Sequence, residues 1–131
     1  RCLILNTGIS TIPPLRSALE QVGGFRRLTL LNVYQGRRFR LVQQGLEEQP
    51  FGGHADEIET SLMLAIAPEK VAMRFAEPAV ARRLSGRFDR TDPRSPNYSP
   101  TGSYGDPTLA SSEKGRRLLA AMLADVLAAL G

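Results

Sequence analysis

Apolar and polar positions alternate along this chain in a way that predicts its elements one by one. Cys2-Leu3-Ile4-Leu5 is an apolar run closed by Asn6-Thr7-Gly8, which reads as a short buried strand entering a tight turn. Ser10 or Thr11 offers a hydroxyl cap to a helix with Pro13-Pro14 in its first turn and Leu15, Leu19 and Val22 along one face. Gly23-Gly24 ends it, and Arg27 to Tyr34 supplies a second strand rich in β-forming residues. Strand, helix and strand with short links predict a βαβ unit with parallel strands and a right-handed crossover. In such sheets ligands sit beyond the carboxyl ends of the strands, which places Asn6, Ser10 and Tyr34 at the expected rim of a site.

From Gly36 to Gln49 the chain is polar, with Phe39, Val42 and Leu46 at helical spacing; this span reads as a short helix or as an extension of the strand. Gly45 and Pro50 to Gly53 are expected to form the loop that delivers His54. Beyond it Ile58, Leu62 and Ile66 recur along one face of a central helix that Pro68 stops. Pro78 to Arg90 is expected to hold another short helix, with Val80 and Leu84 turned inward. Between Arg90 and Pro107 the prolines and glycines exclude regular structure, and a loop of that length is more often functional or interfacial than idle. Thr108 or Ser111 caps a last helix whose Leu118, Leu119, Met122, Leu123, Val126, Leu127 and Leu130 make a wide apolar stripe, expected to pack on the sheet. Alternating elements of this kind indicate an α/β fold: three layers, αβα, around a mostly parallel sheet.

Composition narrows the picture. With 131 residues the chain suits a single domain, 1–131, large enough for a core. No apolar run approaches the roughly 18 residues of a membrane span, and no signal peptide is visible. One cysteine excludes an internal disulfide and points to a reducing, cytoplasmic compartment. The chain opens on Arg1 and runs at once into an apolar strand, which suggests the C-terminal part of a longer polypeptide. Fifteen arginines against two lysines give a net charge of +4. Clusters such as Arg37-Arg38-Arg40 could meet phosphates, but no nucleic-acid-binding motif accompanies them, so nucleic acid is not the expected partner.

Candidate chemistry gathers at one place. His54 is the only histidine, it follows Gly52-Gly53, and Asp56, Glu57 and Glu59 occupy the first turns of the central helix. Carboxylates there complement the helix dipole, so the pattern alone is equally that of a well-capped helix.

Gly53-His54-Ala55, then Glu57, Glu59-Thr60-Ser61 and Leu62-Met63-Leu64, resembles the histidine motif of the creatininase (creatinine amidohydrolase) family. Glu69-Lys70-Val71 extends the resemblance, and so does Gly105-Asp106-Pro107 leading into Ala110-Ser111-Ser112-Glu113-Lys114-Gly115. The matched segments run from Asn6 to about Gly115. The family's Asn-Gly-His-Gly-Gly-Asn run after the first strand stands here as Asn6-Thr7-Gly8-Ile9-Ser10-Thr11: the asparagine is kept and the metal-binding histidine is replaced. Asp56 stands where the family has glycine.

The resemblance implies a creatininase-like fold, its N-terminal part absent, and a metal-dependent amidohydrolase acting on a cyclic amide or formamide-type C–N bond. It implies His54 as general acid and base and Glu59 as a metal carboxylate. Glu57 or Asp56 would orient His54 or hold water. The metal would be zinc or manganese, with iron as a further option. The family draws a glutamate, a histidine and an aspartate from its N-terminal half, so the site would be complete only with that half or with a partner chain, in a homo- or hetero-oligomer. Creatinine, formylated pyrimidines and peptide-derived cofactor precursors are substrates within the family's range. The alternative is a non-catalytic subunit that keeps the fold for assembly or binding.

Overall fold

A computed structural model describes residues 2–23, 28–79 and 89–131. The order of elements is β1 (Cys2–Asn6), α1 (Ile12–Gln21), β2 (Leu28–Asn32), α2 (Arg37–Leu46), α3 (Glu57–Ile66) and α4 (Ser112–Leu130), with short 3-10 turns between them. The chain divides into two compact units, Arg1–Gln44 with Ala120–Gly131, and Gly45–Leu119.

In the first unit β1 and β2 pair in parallel, Cys2 opposite Leu28 and Asn6 opposite Asn32, as the strand–helix–strand pattern requires. β2 is shorter than expected. The chain leaves the ladder after Asn32 and turns through Val33–Gln35, with Val33 buried. Asn6 closes the end of the pair: its amide donates to Asn32 Oδ1 and to the Gly8 carbonyl, each at 2.8 Å, and its Oδ1 accepts the Gly8 N–H. Thr11 stands at the N-cap of α1 but does not cap it with its side chain. Its hydroxyl lies within hydrogen-bond distance of both Asn6 Oδ1 and the Gly8 carbonyl and shares its one proton between them, so it is spent on the turn before the helix.

Of the two readings of Gly36 to Gln49, the helix is correct from Arg37 to Leu46, so Gly45, expected in the loop, lies in the last turn of the helix instead. Phe39 is fully buried, and Asp125 from α4 accepts the N–H groups of Arg38 and Phe39 at 3.2 and 3.0 Å. A carboxylate at those otherwise unpaired amides starts the helix as an N-cap would, although it comes from far along the chain. The apolar stripe of α4 is only partly buried. Leu118 and Ala121 are enclosed, while Leu123, Leu127 and Leu130 are more than half exposed.

The second unit is built on α3. Ile58 and Leu62 are buried as the four-residue spacing predicts, whereas Ile66 is 58% exposed at the helix end. Ser111 accepts the Lys114 N–H and so opens α4. The expected helix between Pro78 and Arg90 falls chiefly on residues outside the described ones. From Arg90 to Asp106 there is neither helix nor strand, only isolated bridges that pair Asp89 with Tyr98 and His54 with Tyr104, and a 3-10 turn begins at Pro107. No helix among the described residues is long and apolar enough to cross a membrane.

Candidate functional site

The loop before α3 is shaped by residues that tolerate unusual backbone. Gly53 has φ 148°, a region that glycine alone enters freely. Gly52 is needed for space, because a Cβ there would run into the Gln49 amide and the Asp56 carboxylate. Ala55 has φ 46°, a left-handed conformation that costs a non-glycine residue about 1 kcal/mol or more. Its N–H is held in that conformation by Glu59 Oε2 at 2.7 Å.

His54 is fixed through its main chain. Its N–H donates to the Tyr104 carbonyl at 3.3 Å, and its own carbonyl accepts the Tyr104 N–H at 2.7 Å. The Tyr104 ring lies 5.5 Å from that of Phe51. The imidazole is 56% exposed, with Nδ1 3.7 Å from Glu59 Oε2. Glu59 therefore does two things with one oxygen: it secures the strained Ala55 and stands beside the His54 ring.

The other two carboxylates are committed to the fold. Asp56 is buried. Its Oδ1 accepts the N–H groups of Ile58 and Glu59, capping α3, and its Oδ2 accepts the Gly53 N–H at 2.8 Å and the Gln49 amide at 3.0 Å. Glu57 is fully buried, with Oε2 accepting the N–H groups of Glu48 and Gln49 and Oε1 bound to Lys114 Nζ at 2.6 Å. Burial works against the Lys114 charge, but hydrogen bonds to Glu48 and Glu57 outweigh it and hold the ammonium above its ordinary value.

Of the residues singled out from sequence, the structure thus brings His54 and Glu59 side by side and sets Asp56 and Glu57 behind them as supports. Asn6, Ser10 and Tyr34 belong to the first unit. There Asn6 ties the strand ends, Ser10 is exposed, and Tyr34 packs edge-on against Phe39 at 5.6 Å. Sequence reasoning missed Gln49, Lys114 and the buried Ser61, whose hydroxyl accepts the Ser111 N–H at 3.1 Å before α4. Lys114 lies in the Glu-Lys-Gly segment of the family resemblance, and Ser61 closes the Glu-Thr-Ser one. Gln49 has no comparable signal. Among the described residues no group of three or more histidine, cysteine, aspartate or glutamate side chains is placed to hold a metal ion. Asp56 and Glu57 have no oxygen to spare, so His54 and Glu59 are at most a pair of donors, short of the three protein ligands a catalytic zinc needs.

An α/β chain with a histidine–carboxylate pair at the mouth of a capped helix is the class these features define. A family model described as creatininase, creatinine amidohydrolase, matches residues 1–130, and the chain belongs to that family. Solved structures agree on the fold. A glutamate-to-glutamine creatininase variant of the Zn–Zn type superposes with TM-score 0.69 at 23% identity, covering 99% of this chain and 55% of that one. A creatininase of the Mn type gives TM-score 0.62 at 23% identity over 93% and 49% of the two chains. A putative creatinine amidohydrolase from Bacteroides fragilis NCTC 9343 gives 0.61 at 22% identity over 95% and 50%. The chain spans about half the length of these structures. No curated protein sequence gives a significant match. The α/β creatininase-like fold expected from the motifs is the fold observed.

Proposed function

We propose that this chain is the part of a creatininase-type amidohydrolase that carries the proton-transfer group. It would act on a non-peptide C–N bond of the cyclic-amide or formamide kind, together with a polypeptide equivalent to the rest of the relatives' length. The observation that carries this reading is His54: exposed at its ring, pinned at its backbone and set beside the Glu59 carboxylate. A carboxylate next to Nδ1 favours the tautomer that holds its proton there and leaves Nε2 for the substrate. His54 then takes a proton from the attacking water and returns it to the leaving nitrogen, so that the C–N bond breaks to an acid and an amine. In this proposal Glu59 orients His54, the role that the resemblance gave to Glu57 or Asp56, while those two hold the loop. Asn6, Ser10 and Tyr34 belong to the first unit, and a rim role is proposed for them only at the strand ends of that unit.

The residues of this chain do not fit a divalent metal by themselves, so no step is routed through one. A zinc or manganese ion like those in the relatives' names would draw further donors from outside the chain. A second reading, a non-catalytic subunit used for assembly, is favoured by Gly8 standing where the family run has histidine, and by the engagement of Asp56 and Glu57 in the fold.

The test is to purify the chain alone and together with a creatininase-family polypeptide covering the remaining half. Intact masses, elemental metal content and ring opening of creatinine or hydrolysis of a formamide are then recorded. Turnover with about one or two metal equivalents only in the paired sample, lowered ~100-fold or more by His54→Ala, supports the hydrolase. No turnover in the paired sample, or turnover indifferent to His54→Ala, leaves the assembly role.

A further inference from the structure

One buried neutral side chain ties together everything that fixes His54. Gln49 is 7% exposed, and its amide uses its full hydrogen-bonding capacity. Nε2 donates to Asp56 Oδ2 at 3.0 Å and to Glu47 Oε1 at 2.7 Å, and Oε1 accepts the N–H groups of Glu57 at 3.2 Å and Asp106 at 2.9 Å. The Gln49 main-chain N–H also donates to Glu57 Oε2 at 2.8 Å. The surrounding backbone leaves a slot for it: a Cβ on Gly105 would lie 2.5 Å from Gln49 Oε1, and one on Gly52 would overlap Nε2.

These contacts fall on both sides of the His54–Tyr104 bridge. On one side Asp56 and Glu57 begin α3, and Asp56 holds Gly53. On the other, Asp106 follows Gly105, the residue next to Tyr104. An apolar side chain in the slot would leave the amides of Glu57 and Asp106 without an acceptor and Asp56 Oδ2 with the Gly53 N–H alone, which buried groups do not tolerate cheaply. We propose that Gln49 is a positioning residue for His54: through Asp56 and Asp106 it sets the spacing of the two segments whose pairing holds the imidazole beside Glu59.

The inference rests on His54 being the working group proposed above, but its test uses neither substrate nor metal. Amide hydrogen exchange is followed by NMR in the wild-type chain and in Gln49→Met, which keeps the length of the side chain. The expected result is exchange about tenfold faster at His54, Ala55 and Tyr104, with the amides inside α3 and α4 within about twofold of wild type. Wild-type rates at those three amides would overturn it, as would a uniform loss of protection, the mark of a residue that only stabilises the fold. If Gln49→Met does not fold, Gln49→Glu decides by the same amides. It keeps the accepting contacts and sets an acid oxygen against Asp56 and Glu47 where the donor stood, so a selective, several-fold rise is expected, and unchanged or uniformly raised rates refute the inference. The exchange data thus decide the role of Gln49, while the His54→Ala assay separately decides the hydrolase reading.

Discussion

Lys114 Nζ lies 2.6 Å from Oε1 of Glu57, and Glu57 has no exposed surface at all. The ammonium also reaches Glu48 and the Leu109 carbonyl, so α4, α3 and the segment before the His54 loop meet at one charge.

Removing one partner of such a pair leaves the other charged and buried. Lys114→Met is expected to cost about 3–5 kcal/mol in urea unfolding. The double change Lys114→Met with Glu57→Gln should recover part of that loss, because no orphaned charge is left. Equal stability of the single and double variants would refute this account. The pair also sets an alkaline limit. The folded-state value of Lys114 is raised above the ordinary 10.5, so its contribution is complete below that pH and is lost as pH rises through the folded value. The wild-type chain should therefore lose stability above about pH 10.5, a loss Lys114→Met does not show.

Asp125 sets the opposite limit in the first unit. Burial would raise its value, but the amides of Phe39 and Arg38 and the Arg38 guanidinium outweigh burial and hold it below 3.8. A depressed carboxylate contributes stability above its unfolded value, and that contribution is lost as pH falls through the folded one. Asp125→Asn should be less stable near neutral pH and should show a shallower loss of stability below about pH 3.8. Asp125→Ala, which uncaps α2, should cost about 1–2 kcal/mol. Circular dichroism across an acid titration distinguishes the three proteins.

Two glycine-to-alanine changes within helices should have opposite signs. A Cβ on Gly45 meets nothing within 4 Å, so Gly45→Ala should stabilise by about 0.5–1 kcal/mol. A Cβ on Gly115 would strike the Ser61 carbonyl, which is backbone of α3 and cannot swing aside. Gly115→Ala should therefore destabilise, by about 1–3 kcal/mol. Thermal melts of the two variants against wild type settle it, and a stabilised Gly115→Ala would mean that the α3–α4 approach is looser than described.

Asp56 serves α3 and the loop at once, so its loss should exceed that of a simple cap. Asp56→Ala is expected to cost more than the usual ~1 kcal/mol of a capping change, because the Gly53 N–H and the Gln49 amide lose their acceptor as well. Asp56→Asn keeps one accepting oxygen and should fall between. Denaturant unfolding that ranks the asparagine variant no better than alanine would show that the second oxygen carries nothing.

Much of this protein was legible in its residue order because the controlling forces are local. Cys2 to Leu5 reads as a strand and Ile58 and Leu62 as inward-facing, since each follows from the period of the apolar positions. The motif around His54 further indicated the family, which the match over residues 1–130 establishes. What residue order could not decide was the division of labour among three adjacent carboxylates. Asp56, Glu57 and Glu59 look alike in sequence. Their roles depend on Lys114, Gln49 and Tyr104, which chain folding brings to them from as many as 57 residues away. The same holds for α2, which a distant Asp125 begins, and for Thr11, whose hydroxyl turns back to Asn6. A hydrogen bond is set by which groups meet in space, and periodicity records only which face is buried.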